Sequence, residues 1–68
     1  MRSYFLSYIE WRDDRGRGYD RSHTFQAKTD ADARTLADEH LRGVKTSGLV
    51  VLRCVETRRV PYRRRSRE

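Results

Sequence analysis

Residues 3–12, Ser-Tyr-Phe-Leu-Ser-Tyr-Ile-Glu-Trp-Arg, carry apolar side chains on both sides of an extended chain. Their aromatic and β-branched types, without Gly or Pro, predict a strand. Strand side chains alternate, so Phe5, Ile9 and Trp11 share one side and Tyr4, Leu6 and Tyr8 the other. Such a strand belongs in the middle of a sheet, and the rest of the chain has to be arranged around it.

Turn formers follow at Asp13-Asp14-Arg15-Gly16-Arg17-Gly18. Residues 19–28 then alternate. Tyr19, His23, Phe25 and Ala27 fall on one side, with Asp20, Ser22, Thr24, Gln26 and Lys28 on the other. This is a strand with one wet face, and it predicts a hairpin with the first. A helix comes next. Thr29 or Asp30 serves as N-cap, and Thr29-x-x-Asp32 is a capping-box variant. Asp30 and Asp32 suit the positive end of the macrodipole. Ala33, Leu36, Ala37, His40, Leu41 and Val44 form an amphipathic stripe, and Gly43 is a suitable C′ residue. Leu49 to Thr57 predicts a third strand.

The order β-β-α-β predicts an α+β fold. Its sheet is three-stranded and mainly antiparallel, with one helix on one face and a basic C-terminal tail. Strand 3 either pairs antiparallel beside strand 1, giving order 2-1-3, or crosses over to lie parallel beside strand 2. The two-sided apolar character of the first strand favours 2-1-3. Residues 1–57 form the single domain. Residues 58–68 form a flexible Arg-rich tail, in which Pro61 stops any ladder.

A chain of 68 residues buries only about 60% of its unfolded surface. That leaves no room for a pocket with supporting structure, which predicts a non-enzymatic protein without a cofactor. The single cysteine, Cys54, excludes an internal disulfide framework. No charged-then-apolar N-terminus or long apolar run is present, which predicts a cytoplasmic protein in a reducing compartment. His23 and His40 share no ligand spacing with Cys54, so ordinary half-buried histidines are expected and no metal site. Asp13-Asp14 reads as a turn pair.

One helix covers one face of a sheet, yet strand 3 is also apolar on both sides: Leu49, Val51 and Val55 against Val50, Leu52 and Cys54. The small Ser3 and Ser7 beside Phe5 and Ile9 favour that side for the helix. Tyr4, Leu6 and Tyr8 then remain as an exposed interface. Three covers suit it: a homodimer stacking two sheets, the tail folded back through Val60 and Tyr62, or unpaired bases stacked on the tyrosines.

Charge is segregated along the chain. Arg58, Arg59, Arg63, Arg64, Arg65 and Arg67 against Glu68 give the last eleven residues +5 of the total +6, leaving +1 for residues 1–57. Fourteen arginines against two lysines fit a GC-rich genome, bacterial or phage, but genome bias does not explain this clustering. An uncompensated Arg run is a hook for a polyanion, with guanidinium forks on phosphate oxygens. Six phosphate contacts give a log K against log salt slope of roughly −5. Arg15 and Arg17 at the hairpin tip are expected to assist, whereas the acidic helix faces away. The sequence therefore predicts a small accessory or regulatory nucleic-acid-binding protein, nucleoid-associated and homodimeric, with duplex DNA favoured over RNA. The alternative is a protein-interaction module, such as a phage inhibitor or adaptor of a host protein, using the uncovered apolar face.

Overall fold

A computed structural model describes residues 1–12 and 17–66, with only the backbone of Arg12 and Arg17. Five elements follow one another: β1 (Arg2–Arg12), β2 (Arg17–Ala27), α1 (Asp30–Leu41), β3 (Thr46–Cys54) and β4 (Tyr62–Arg65). All pairings are antiparallel, in the order β2-β1-β3-β4. The expected α+β class, the β-β-α-β order and the 2-1-3 arrangement are present, with β1 inside the sheet. The expected three strands are four. Pro61 does not prevent the last one, because it precedes the ladder and withholds no N–H from it. Pairing resumes at once, with Tyr62 opposite Leu52 and Arg65 opposite Leu49.

Local chemistry shapes α1 as expected. Thr29 is extended, and its Oγ1 accepts from the Asp32 N–H at 3.1 Å. At the other end Arg42 (φ −63°, ψ 125°) and Gly43 (φ 80°) form the centre of a type II turn, closed by the Val44 N–H on the Leu41 carbonyl at 2.9 Å. Position i+2 of that turn needs positive φ, which is why glycine stands there. Ala33 and Ala37 have no exposed surface and let the helix lie close to the sheet, with Leu41 also buried. Leu36, placed on the stripe by its spacing, is 41% exposed.

The core lies between α1 and one face of the sheet. Tyr4, Leu6, Val50, Leu52 and Cys54 are fully buried there, Tyr8 nearly so, with Phe25, Val44 and Tyr62 packed against them. Register explains the grouping, since residues opposite each other share a face. Tyr4 faces Phe25 and Cys54, Leu6 faces His23 and Leu52, and Leu52 faces Tyr62.

This reverses the expected faces. Tyr4, Leu6 and Tyr8 are core residues under the helix, not an exposed interface, and Phe5 and Ile9 lie on the open side. The buried side gives both tyrosine hydroxyls a partner, Asp30 for Tyr4 and His40 for Tyr8. It also matches the apolar row of β1 to the one apolar row of β2. Of the residues expected to fold back over the Tyr4, Leu6 and Tyr8 row, Tyr62 does pack against it and Val60 does not, and neither covers the open face. Tyr62 sits on the helix side and Val60 is 48% exposed.

Two glycines fit β1 to its neighbours. A Cβ at Gly18 would run into the Ile9 side chain. Gly48, at φ 69°, lies where the β1–β3 register jumps from Ser7–Val51 to Ile9–Ser47. No described helix is long and apolar enough to cross a membrane.

Candidate nucleic-acid interface

The open face is assembled from odd-numbered residues of β1, β3 and β4 and even-numbered residues of β2, as register dictates. Its centre is apolar: Phe5 and Ile9 on β1, with Leu49 and Val51 on β3, are all half-buried. With Ser7 and Ser22 they line an open depression of about 430 Å³. A basic border follows. Arg63 stands opposite Val51 and Arg65 opposite Leu49, both exposed. Arg53 stands opposite Phe5, with its guanidinium carbon 5.6 Å from the ring centroid, a cation–π contact. Arg58 closes the row, sharing with Arg53 and Val55 a second depression of about 470 Å³. Among the described residues, the only acid at an open-face strand position is Asp20, on the opposite edge strand.

The arginines expected to act together are thus divided. Arg63 and Arg65 point to the open face and Arg64 to the other, where it lies over the Tyr62 ring at 5.3 Å. Arg58 occupies the β3–β4 turn at φ 61°, a left-handed conformation with a strain of roughly 1–2 kcal/mol for a non-glycine residue. Arg59 is spent on structure: its Nη2 is 3.3 Å from Asp30 Oδ2. Arg15 and Arg67 lie outside the described residues, as does the side chain of Arg17. Arg53 was missed as a candidate, although its place on the odd-numbered row of the third strand is readable from the sequence.

The Asp30 cluster ties this border to the body. Tyr4 donates its hydroxyl to Asp30 Oδ1 at 2.6 Å, and Arg2 Nη1 lies 3.9 Å from the same oxygen. The phenol, followed by the nearby arginines, holds the Asp30 carboxyl below its ordinary value. The acceptor, followed by burial, raises the Tyr4 phenol. Arg34 donates to the Pro61 carbonyl at 3.3 Å. The Glu56 carboxylate accepts the Ser3 N–H at 3.0 Å, which lowers its pKa. The segment leading into β4 is therefore anchored at several points.

On the helix side, His23 of β2 and His40 of α1 stack with ring centroids 3.9 Å apart and planes 2° from parallel. The Tyr8 hydroxyl lies 3.3 Å from His40 Nε2. Burial, and then the charge of His23, holds His40 below its ordinary value. The folded protein thus takes up this proton less readily than the unfolded chain. His40 stabilises fully above the unfolded value, and that stability is lost as pH falls toward and through the folded one. Melting temperature is expected to drop between about pH 7.5 and about pH 5.5, with a shallower drop in His40→Gln. An equal slope in both proteins would assign the effect to another group.

Among the described residues no three His, Cys, Asp or Glu side chains gather as a metal site. Cys54 is buried and unpaired. No protein-family model, curated protein or solved structure matches the chain. The functional reading therefore rests on the geometry of this sheet.

Proposed function

We propose that the protein is a small non-enzymatic nucleic-acid-binding protein, accessory or regulatory in role, that holds phosphates along the β3–β4 side of its open face. The row Arg58, Arg53, Arg63, Arg65 carries the proposal. Arg63 and Arg65 have no ion-pair partner among the described residues, and Asp20 lies three strands from β4. At about 4.8 Å per strand that is some 14 Å, beyond the screening length at physiological salt. Arg63 and Arg65 are two residues apart on one strand, about 6.7 Å, close to the spacing of successive phosphates along a nucleic-acid backbone. Four such contacts imply a log K against log salt slope of roughly −4 on duplex DNA, shallower than the whole Arg run suggests.

The test is titration of duplex DNA across salt with the intact protein and with Arg63→Gln/Arg65→Gln. Both changes sit at exposed edge positions, so the variant should keep the wild-type circular dichroism spectrum. Its slope should be shallower by about 2. The reading fails if the intact protein binds neither duplex nor single strand at low salt, or if the variant binds identically.

A second reading has its own observation, the half-buried apolar centre of the same face. A protein partner, or a second copy stacked sheet to sheet, would bury Phe5, Ile9, Leu49 and Val51. Absorbance at 260 against 280 nm of freshly purified protein separates the readings, because co-purified nucleic acid favours the first. A stoichiometric protein partner that survives high salt and nuclease favours the second.

A further inference from the structure

We infer that the open sheet face takes unpaired nucleic acid, with bases on the apolar centre and phosphates on the arginine border. This rests on the nucleic-acid reading above and specifies its substrate. The argument is one of matching surfaces. A duplex presents phosphate and sugar on its outside and hides the faces of its bases, so an apolar patch inside a basic border gains little from it. A single strand offers both kinds of surface side by side. Its base faces stack on apolar and aromatic groups without regard to sequence, while its backbone follows a charged groove.

The geometry places these two requirements one strand apart. Phe5, Ile9 and Val51 floor the open depression of about 430 Å³. Arg63 is the direct cross-strand neighbour of Val51, and Arg65 of Leu49. Arg53 bridges the zones, since its guanidinium already lies over Phe5 at 5.6 Å. A planar base replaces or extends that stack, freeing the guanidinium for the adjoining phosphate. Ser7 and Ser22 line the same depression and offer hydroxyls to base edges. The charge is complementary to a nucleic acid, whereas a second copy would offer four arginines only Asp20 as an acid at an open-face strand position among the described residues.

The experiment titrates the intact protein with a short labelled oligonucleotide, as DNA and as RNA, alone and annealed to its complement. It is repeated with Phe5→Ala, Leu49→Ser and Arg63→Gln/Arg65→Gln, each checked for an unchanged circular dichroism spectrum. The single strand should bind about tenfold or more tighter than the duplex. Phe5→Ala should lose roughly tenfold of single-strand affinity and little of duplex affinity, and Leu49→Ser should act in the same direction without touching the ring. The arginine variant should weaken both forms alike. Equal affinity for both forms, unmoved by Phe5→Ala and Leu49→Ser, overturns this inference and leaves the phosphate reading standing. No binding to either form at low salt overturns both. A dimer by light scattering that Phe5→Ala dissociates overturns the inference by assigning the face to self-association.

Discussion

Ending the chain after Thr57 should unfold the protein, although the sequence marks residues 58–68 as separable. In the structure residues 58–66 complete the fold. The Arg59 carbonyl accepts the Cys54 N–H at 2.8 Å, and the Arg58 N–H bonds the Cys54 carbonyl at 2.9 Å. Arg59 neutralises Asp30, and the Pro61 carbonyl accepts Arg34. The β3–β4 ladder and the packing of Tyr62 beside fully buried Leu52 go as well. Each hydrogen bond contributes about 0.5–1.5 kcal/mol and the ring about 1.5–3 when fully buried, less for half-buried Tyr62. A domain of this size holds roughly 3–10 kcal/mol in all, at about 0.05–0.15 kcal/mol per residue. Thermal unfolding by circular dichroism decides it: residues 1–57 should show no cooperative transition at room temperature or above. A transition within a few degrees of the intact protein would show that β4 is dispensable. Truncation is therefore a poor test of nucleic-acid binding, and charge-neutral substitutions are the better one.

Leu52→Ala should be comparably severe. Leu52 has no exposed surface and stands between Leu6 on one strand and Tyr62 on the other, beneath the helix. Removing a buried leucine side chain costs about 2–5 kcal/mol, more where neighbours cannot collapse into the space. Here the neighbours are held by ladders on both sides and by the hydroxyl contacts of Tyr4 and Tyr8. At roughly 4–8 °C per kcal/mol for a domain this small, melting temperature falls by about ten degrees or more. Urea denaturation checks the same quantity: the midpoint drops while the slope is kept. The contrasting site is Val55, which is 51% exposed, so Val55→Ala should be nearly silent. Equal effects at both positions would place the core elsewhere.

Much of this architecture is readable from residue order alone. Two-sided apolarity places the first strand inside the sheet, one-sided alternation places the second at an edge, and Thr29 and Gly43 mark the helix ends. The face under the helix is not readable, and the reason is parity. Residues 13–16 separate Arg12 from Arg17, and with that even spacing Phe25 pairs with Tyr4 and His23 with Leu6. A connection one residue longer or shorter would pair the same row with Phe5 and Ile9, and the opposite face would be buried. The open face inherits this choice, so Phe5 rather than Tyr4 becomes the aromatic residue at its centre. The fourth strand was hidden for a different reason. A dense Arg run reads as unpackable, yet alternation sends Arg63 and Arg65 to one side and leaves Tyr62 and Arg64 on the other. Only the cross-strand partner, Val50 to Leu52, reveals that Tyr62 has a core to join.

The short arginine strand also changes what the edge of this sheet offers to another chain. An edge strand offers unpaired N–H and C=O groups to any chain that approaches, and a long apolar edge invites fibrous aggregation. Without β4 that edge would be β3, whose Leu49-Val50-Val51-Leu52 run is the kind of segment that recruits further strands. With β4 in place the sheet ends in four residues, three of them arginine, and an approaching copy meets its own charge. The same guanidinium groups proposed to hold phosphates thus also guard the edge of the sheet.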